Sequence, residues 1–175
     1  MSAIRSDPIR ITFKQMGCPQ MQITIPGTGS IELKHLVCDY NGTIARDGHL
    51  MSNLDKTFAE LAGQFTIHVL TADSGGTVTR ELEGLPCRLH IITPGNEAEQ
   101  KEAYILGLGA ESVACIGNGA NDRLMLKSAR LGIAVLEGEG AATGALLHAD
   151  IVVRSIYDAL GLFMVPQRIT ATLRT

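Results

Sequence analysis

The chain has 175 residues, which suits one domain, and its 45% hydrophobic content supplies enough apolar side chains for a sizeable core. Its net charge of -3 and the lack of any long cluster of Lys and Arg argue against nucleic acid as a partner. No segment approaches the roughly 18 consecutive apolar residues that a membrane span requires, and the N-terminus lacks an apolar secretory core. We therefore expect a soluble, cytoplasmic protein with no membrane partner.

Neither the cysteines nor the histidines have the spacing of a disulfide framework or a metal site. The histidines are scattered, so a transition-metal site is not expected. We interpret the cysteines as reduced structural thiols, because none belongs to a C-x-x-C pattern. The four cysteines are Cys18, Cys38, Cys87 and Cys115.

A β-hairpin is the first predicted element. Residues 22–25 alternate between polar and apolar side chains, residues 26–29 have the composition of a turn, and residues 31–34 alternate again. The hairpin leads into an apolar strand that ends at Asp39. Residues 1–20 are predicted to be a dispensable extension, which leaves residues 21–175 as a single domain.

Helices and strands alternate from Asp39 to the end of the chain. Ser52 to Asp55 has the pattern of a capping box, and the helix that it opens carries Leu54, Phe58 and Leu61 on one apolar face. This alternation predicts a mainly parallel sheet flanked by helices. After the first helix we expect strands near residues 65–70, 88–92, 132–136 and 151–153, helices near residues 77–83, 97–108, 122–130 and 141–148, and a terminal helix.

Two predicted strands end in polar segments that suit phosphate chemistry. The apolar run 36–38 leads directly into Asp39, which is followed by Tyr40 and an Asn-Gly-Thr turn, and the run 113–116 leads into the loop 117–122. The carboxyl ends of parallel strands lie at the edge of a sheet where ligands usually bind. Two such strand ends facing one cleft indicate a metal-assisted phosphoryl site.

These motifs resemble the haloacid dehalogenase (HAD) superfamily, and most closely the phosphorylation domain of P-type ATPases. The likeness rests on the Asp39 segment, the loop 117–122, and the later runs 132–135 and 149–153, which occur in that domain's order. It implies a three-layer, Rossmann-like α/β fold. The segments between Thr43, Thr71 and Lys101 are too short for a large cap domain, so we expect an open active-site mouth.

The resemblance implies a Mg²⁺-dependent phosphohydrolase or phosphotransferase in which Asp39 forms an aspartyl phosphate. Thr71 and Lys101 match the second and third motifs of the family, a hydroxyl that holds the phosphoryl group and a cation that offsets its charge. The implied Mg²⁺ ligands are Asp39, the backbone carbonyl of Asn41, Asn118 and Asp122. The expected phosphate-binding residues are Gly42, Thr43, Thr71, Ala72, Lys101 and Asn121.

The sequence departs from the family at two asparagines. Asn118 stands where the family usually places a metal-binding Asp, which removes one negative charge and should weaken Mg²⁺ capture. Asn41 stands where phosphatases of the superfamily usually have the general acid and base. General acid/base assistance is typically worth about 10² to 10⁴ in rate, so we expect slow turnover or a need for a good leaving group.

The departures leave a second interpretation open, in which the chain is a catalytically weak or inactive regulatory module that binds phosphate. The individual residues also have structural alternatives: a turn-capping Asp39, a structural Thr71, a solvated Lys101, and a glycine-rich loop that caps a helix through Asn121. ATP-driven transport is not expected, because the chain has neither membrane helices nor a nucleotide-binding domain. An open mouth suits a bulky substrate, a protein substrate, or a homo-oligomer that covers the site, whereas a small metabolite would be poorly enclosed. The expected partner is a phosphorylated small molecule or a protein substrate.

Overall fold

A six-stranded parallel sheet forms the centre of the fold. The computed structural model describes residues 20–72 and 76–175, so the predicted extension lies, apart from residue 20, outside the described residues. The sheet order is β10-β9-β8-β3-β6-β7, with every neighbouring pair parallel. Its strands are β3 (His35–Asp39), β6 (Thr66–Thr71), β7 (Cys87–Ile91), β8 (Val113–Gly117), β9 (Leu131–Val135) and β10 (Ile151–Val153).

The strand order places Asp39 at the point where the chain reverses its direction across the sheet. From β3 the chain adds β6 and β7 on one side, then returns to β8 on the other side of β3 and continues to β9 and β10. In parallel sheets, such a reversal opens a crevice at the carboxyl ends of the strands. The nucleophile predicted from the sequence therefore lies at the position where this fold class binds ligands.

Helices cover both faces of the sheet and confirm the predicted three-layer architecture. One face buries Phe58, Phe65 and Phe163, and the other buries Ile105 and Met125 against the sheet. The helices are α1 (Leu54–Leu61), α2 (Thr77–Glu81), α3 (Glu97–Leu108), α4 (Arg123–Ser128), α5 (Thr143–His148), α6 (Ile156–Met164) and α7 (Gln167–Leu173).

The predicted N-terminal hairpin is present as a separate antiparallel pair, β1 (Met21–Ile25) and β2 (Gly29–Leu33). Met21, Ile23 and Ile25 are buried while the residues between them are exposed, as the alternating pattern predicts. Thr170 of α7 donates a hydrogen bond to the carbonyl of Thr24 at 3.1 Å. The hairpin is thus fixed to the C-terminal helix.

Two local features differ from the sequence-based expectation. The capping box is wrong: α1 begins at Leu54, but Asn53 has a left-handed conformation and its side chain caps nothing. The apolar face of α1 is nevertheless confirmed, since Leu54, Phe58 and Leu61 are fully buried. The second difference is a small hairpin that the sequence did not predict, formed by β4 (Ala45–Arg46) and β5 (His49–Leu50) directly after the Asp39 turn. We call this hairpin the flap.

The described residues contain no large cap domain, as predicted. Among them, no helix has the length and apolar character needed to cross a membrane. Cys38 and Cys115 are buried free thiols and Cys87 is a half-buried one, which agrees with their interpretation as structural residues. Cys18 lies outside the described part of the chain.

Candidate active site

Asp39 and Lys101 form the centre of the candidate site. Asp39 is the last residue of β3 and is almost fully buried, and Lys101 reaches it from α3. Lys101 Nζ lies 2.6 Å from Asp39 Oδ1, and its side chain is only 1% exposed. A buried ammonium is tolerated only when acids neutralise it, so this lysine is held in place by its partners.

Asp122 is the second acid that holds Lys101. It lies in a short 3-10 turn after β8, and its Oδ1 is 2.6 Å from Lys101 Nζ. Its Oδ2 accepts hydrogen bonds from the backbone N–H groups of Asn118 and Gly119, at 2.9 and 2.8 Å. Both oxygens of Asp122 are therefore engaged, and the predicted role of Asp122 as a metal ligand would require one of these bonds to be exchanged.

The electrostatics of the centre follow from two buried acids that share one cation. Burial raises the pKa of Asp39 to about 7, and the Asp122 charge adds to the rise, while Lys101 opposes it. Burial disfavours the charged form of Lys101, but the two carboxylates outweigh it and raise its pKa above the usual value. The two carboxylates therefore favour the charged form of Lys101 at this site.

Thr43 connects Asp39 to Asn118. Its Oγ1 lies 3.2 Å from Asp39 Oδ2 and 3.2 Å from Asn118 Oδ1. A hydroxyl has one hydrogen to donate, so it can satisfy only one of these two acceptors at a time. Two oxygens that converge on a single donor match the oxygen ligands that Mg²⁺ prefers. Asp39 and Asn118 therefore offer oxygen atoms of the kind that bind hard divalent cations.

Gly42 permits this arrangement because it has no side chain. Its φ of 74° is left-handed, and a Cβ at this position would collide with the amide group of Asn118. The Asn118 amide nitrogen donates to the carbonyl of Gly140 at 2.9 Å. Asn118 is thus enclosed by the Asp39 turn on one side and by the loop after β9 on the other.

The remaining predicted site residues lie around this centre. Thr71 is buried at the end of β6, next to the strand that carries Asp39, and Ala72 follows it. Asn41 and Asn121 are exposed at the rim. The structure thus joins Asp39, Thr43, Lys101, Asn118 and Asp122 in one hydrogen-bonded network. Lys127, which follows the acidic loop and was the weaker candidate for the cation, is exposed on α4 and takes no part in this network.

The sequence indicated only a strand-to-helix turn at residues 138–140, without a role in the site, and did not predict the flap. Arg46 of the flap bonds Glu137 at 3.3 Å, and the backbone N–H of Asp47 donates to Glu139 at 3.1 Å. On the other side, Glu81 of α2 accepts from the backbone N–H of Leu50 at 3.1 Å. Acidic residues from two elements thus hold the flap beside the site. The two glycines of the loop were the available signal, although they resemble an ordinary turn.

Within the described ranges, no group of three or more His, Cys, Asp or Glu residues is arranged to hold a metal ion. This agrees with a site that has only two carboxylates, one of them engaged by three donors. A cation here would depend on Asp39 and on neutral oxygens. Neutral oxygen ligands are common in hard-cation sites, where each contributes less affinity than a carboxylate.

Several solved structures share this fold. A 3-deoxy-D-manno-octulosonate 8-phosphate phosphatase from Moraxella catarrhalis, in complex with magnesium, phosphate and KDO, is 18% identical with a TM-score of 0.59, and the match covers 79% of this chain and 90% of that one. The cobalt-bound phosphatase YrbI from Haemophilus influenzae is 16% identical with a TM-score of 0.62, and the match covers 82% of this chain and 94% of that one.

A zinc-transporting P-type ATPase is 26% identical with a TM-score of 0.57, over 70% of this chain and 20% of that one. Together these structures show that the chain has the fold of the haloacid dehalogenase superfamily, without a cap domain in the part of the chain that the structure describes, which confirms the resemblance found in the sequence.

Comparison of the sequence with family models and with known proteins gave two further findings. No family model matches the chain. An uncharacterised protein of Methanocaldococcus jannaschii is 48% identical over 64 residues, which is 37% of this chain and 69% of that protein. The chain belongs to the same family as this archaeal protein.

Proposed function

We propose that the chain is a Mg²⁺-dependent phosphohydrolase or phosphotransferase that works through an aspartyl phosphate on Asp39. The observation that carries this proposal is the pairing of Asp39 with Lys101 at the reversal point of the parallel sheet. Phosphatases share the fold, which supports phosphoryl chemistry at the class level. A buried cation beside a strand-end nucleophile suits a reaction in which a phosphoryl group must approach a carboxylate.

Asp39, Asn118 and the backbone carbonyl of Asn41 would hold the Mg²⁺. When bound, the ion would offset the repulsion between the incoming phosphoryl oxygens and the Asp39 carboxylate. In this proposal Asp122 keeps Lys101 and the Asn118 backbone in position through its existing bonds.

Asp39 attacks phosphorus in line, so that a bond forms between its carboxylate oxygen and phosphorus while the bond from phosphorus to the leaving oxygen breaks. Lys101 offsets the negative charge on the phosphoryl group. Thr43 donates a hydrogen bond to one of its oxygens. Thr71, at the end of the neighbouring strand, is placed to contact the phosphoryl oxygens. Water then attacks the aspartyl phosphate and releases inorganic phosphate, or another acceptor takes the phosphoryl group.

Asn41 decides which substrates react well. The departing oxygen needs a proton when its conjugate acid is weak, and an amide cannot supply one. The leaving groups of acyl and aryl phosphates depart without that assistance, whereas those of alkyl phosphates do not. We therefore propose a substrate with a good leaving group, carried on a small molecule or on a protein, and slow hydrolysis of the aspartyl phosphate. A homo-oligomer that covers the open mouth stays a prediction.

The alternative is a weak or inactive phosphate-binding module. Asn41 and Asn118 favour it, because both replace acids that the family uses. The intact network of Asp39, Lys101 and Asp122 favours catalysis, since it keeps a buried cation beside the strand-end carboxylate.

One experiment separates the two functions. The full chain is incubated with acetyl phosphate and with p-nitrophenyl phosphate, with and without Mg²⁺, beside Asp39→Asn. Phosphate release and intact protein mass are followed. Mg²⁺-dependent turnover or a phosphate-mass adduct that Asp39→Asn abolishes would support the enzyme. If the folded protein shows no turnover and no adduct with either phosphate, the phosphate-binding module becomes the preferred function.

A further inference from the structure

The side chain of Asn118 is held in one orientation by its hydrogen bond to the loop after β9. Its Nδ2 donates to the carbonyl oxygen of Gly140 at 2.9 Å, and its Oδ1 lies 3.2 Å from the Thr43 hydroxyl, which it shares as an acceptor with Asp39. The Gly140 oxygen can only accept a hydrogen bond, so the amide nitrogen must face it. The amide oxygen is consequently turned toward Thr43 and Asp39.

We propose that Asn118 is a neutral metal ligand that this site is built to hold, and that the Gly140 carbonyl is its positioning partner. An aspartate lost by drift would leave a polar group without a matched environment. Here the environment matches an amide and opposes a carboxylate, because an ionised carboxylate would place an acceptor against the Gly140 oxygen. The metal part of this inference rests on the proposed function, and the orientation of the amide does not.

The loop that carries Gly140 is anchored on several sides. The backbone N–H of Gly140 donates to the carbonyl of Glu137 at 2.7 Å, and the φ of Gly140, 81°, belongs to the region that glycine adopts readily. Glu137 also accepts from the backbone N–H of Ile156 at 2.6 Å and pairs with Arg46 of the flap. These bonds keep the loop from turning its carbonyl away from Asn118.

A second contact joins the same residue to the same loop. The backbone carbonyl of Asn118 accepts from the N–H of Ala142 at 2.8 Å. Asn118 is thus bonded to the loop through both its backbone and its side chain. This is the arrangement expected when the position of one side-chain oxygen matters.

The charge of the site follows from this amide. With all groups ionised, Asp39, Asp122 and Lys101 sum to one negative charge, and an aspartate at position 118 would make it two. A site with one negative charge binds Mg²⁺ less tightly and repels a phosphate dianion less. Weak metal capture is therefore a built-in property of this site rather than a sign of lost function.

The test compares Asn118→Asp with Asn121→Asp, which adds the same charge to the same loop at an exposed position. Melting temperatures are measured on the full chain in EDTA at pH 8, where a carboxylate is ionised. We expect Asn118→Asp to melt about 5 °C or more below Asn121→Asp, and Mg²⁺ to raise its melting temperature by more than that of the wild type. Equal melting temperatures in EDTA would overturn the proposal.

A measurement on the wild-type protein covers the case in which Asn118→Asp fails to fold. The side-chain amide protons of Asn118 and Asn121 are compared by ¹⁵N NMR. Slow solvent exchange at Asn118 and a larger shift of its signal on titration with MgCl₂ support the proposal. Exchange as fast as at Asn121, or an Asn118 signal that ignores millimolar Mg²⁺, overturns it. Because neither readout requires turnover, loss of the proposed activity and loss of this inference are separate results.

Discussion

Lys101 Nζ lies 2.6 Å from Asp39 Oδ1, although 62 positions separate the two residues in the chain. They meet because β3 is central in the sheet and α3 packs on one of its faces, so that the helix carries a long side chain to the strand end. The same ammonium contacts Asp122 at 2.6 Å. The three residues therefore form one electrostatic unit in which no member can be changed alone without cost.

Replacing Lys101 by Met tests this unit. The substitution keeps most of the side-chain volume and leaves two buried acids without their cation. Breaking a buried ion pair by removing one partner costs about 3–5 kcal/mol, so we expect a loss of that order in the free energy of unfolding in urea, together with loss of phosphoryl transfer. Lys127→Met, on the exposed part of α4, is the matched control. Equal stability of the two variants would contradict the claim that Asp39, Lys101 and Asp122 form one electrostatic unit.

Asn41→Asp tests the missing acid. An aspartate there could protonate the leaving oxygen, so we expect alkyl phosphates to react about 10²-fold faster or more, with little change for acetyl phosphate. The measurement is kcat/KM across phosphates whose leaving groups span a range of basicity. The plot against leaving-group pKa should be steep for the wild type and flatter for the variant. Parallel lines would show that position 41 does not govern proton transfer.

The sequence was sufficient for features that depend on local pattern. Asp39 at a strand end, the alternation of strands and helices, and the terminal hairpin follow from the periodicity of side chains along short segments. The Asn118 contact with Gly140 was not predictable, because it depends on the path of a loop 22 residues away. The flap was missed because strands of two residues carry no measurable alternation. The capping box predicted over residues 52–55 failed because α1 begins at Leu54, so that Asn53 and not Ser52 occupies the N-cap position, in a left-handed conformation without a side-chain bond.

Gly42→Ala tests the close packing of the Asp39 turn against Asn118. A non-glycine residue at a φ of 74° costs of order 1–3 kcal/mol, and the new Cβ would also collide with the Asn118 amide. Gly48→Ala is the matched control, because its φ is 81° and its Cβ would meet no atom within 4 Å. We expect Gly42→Ala to lose more stability in urea and to bind Mg²⁺ more weakly by calorimetry. Equal losses of stability in the two variants would show that the close contact between Gly42 and Asn118 does not matter for stability.

A chain of hydrogen bonds links His35, His68 and Tyr104 away from the site. His35 Nδ1 lies 3.0 Å from His68 Nε2, and His68 Nδ1 lies 2.8 Å from the Tyr104 hydroxyl. Burial lowers the pKa of His68 to about 4, and the neighbouring His35 and Arg88 add to the fall. Burial also lowers the pKa of His35. The network is therefore neutral in the folded protein at pH values where an unfolded histidine is already charged.

This difference makes stability depend on pH. Between about pH 4 and pH 6.5 the unfolded chain binds more protons at His68 than the folded one, so the free energy of unfolding should rise with pH across this window. Asp39, whose pKa is raised, contributes the opposite slope, so urea unfolding is measured in Asp39→Asn with and without His68→Gln. We expect the rise in Asp39→Asn and a flatter profile in the double variant. A rise that survives His68→Gln would place its origin elsewhere in the molecule.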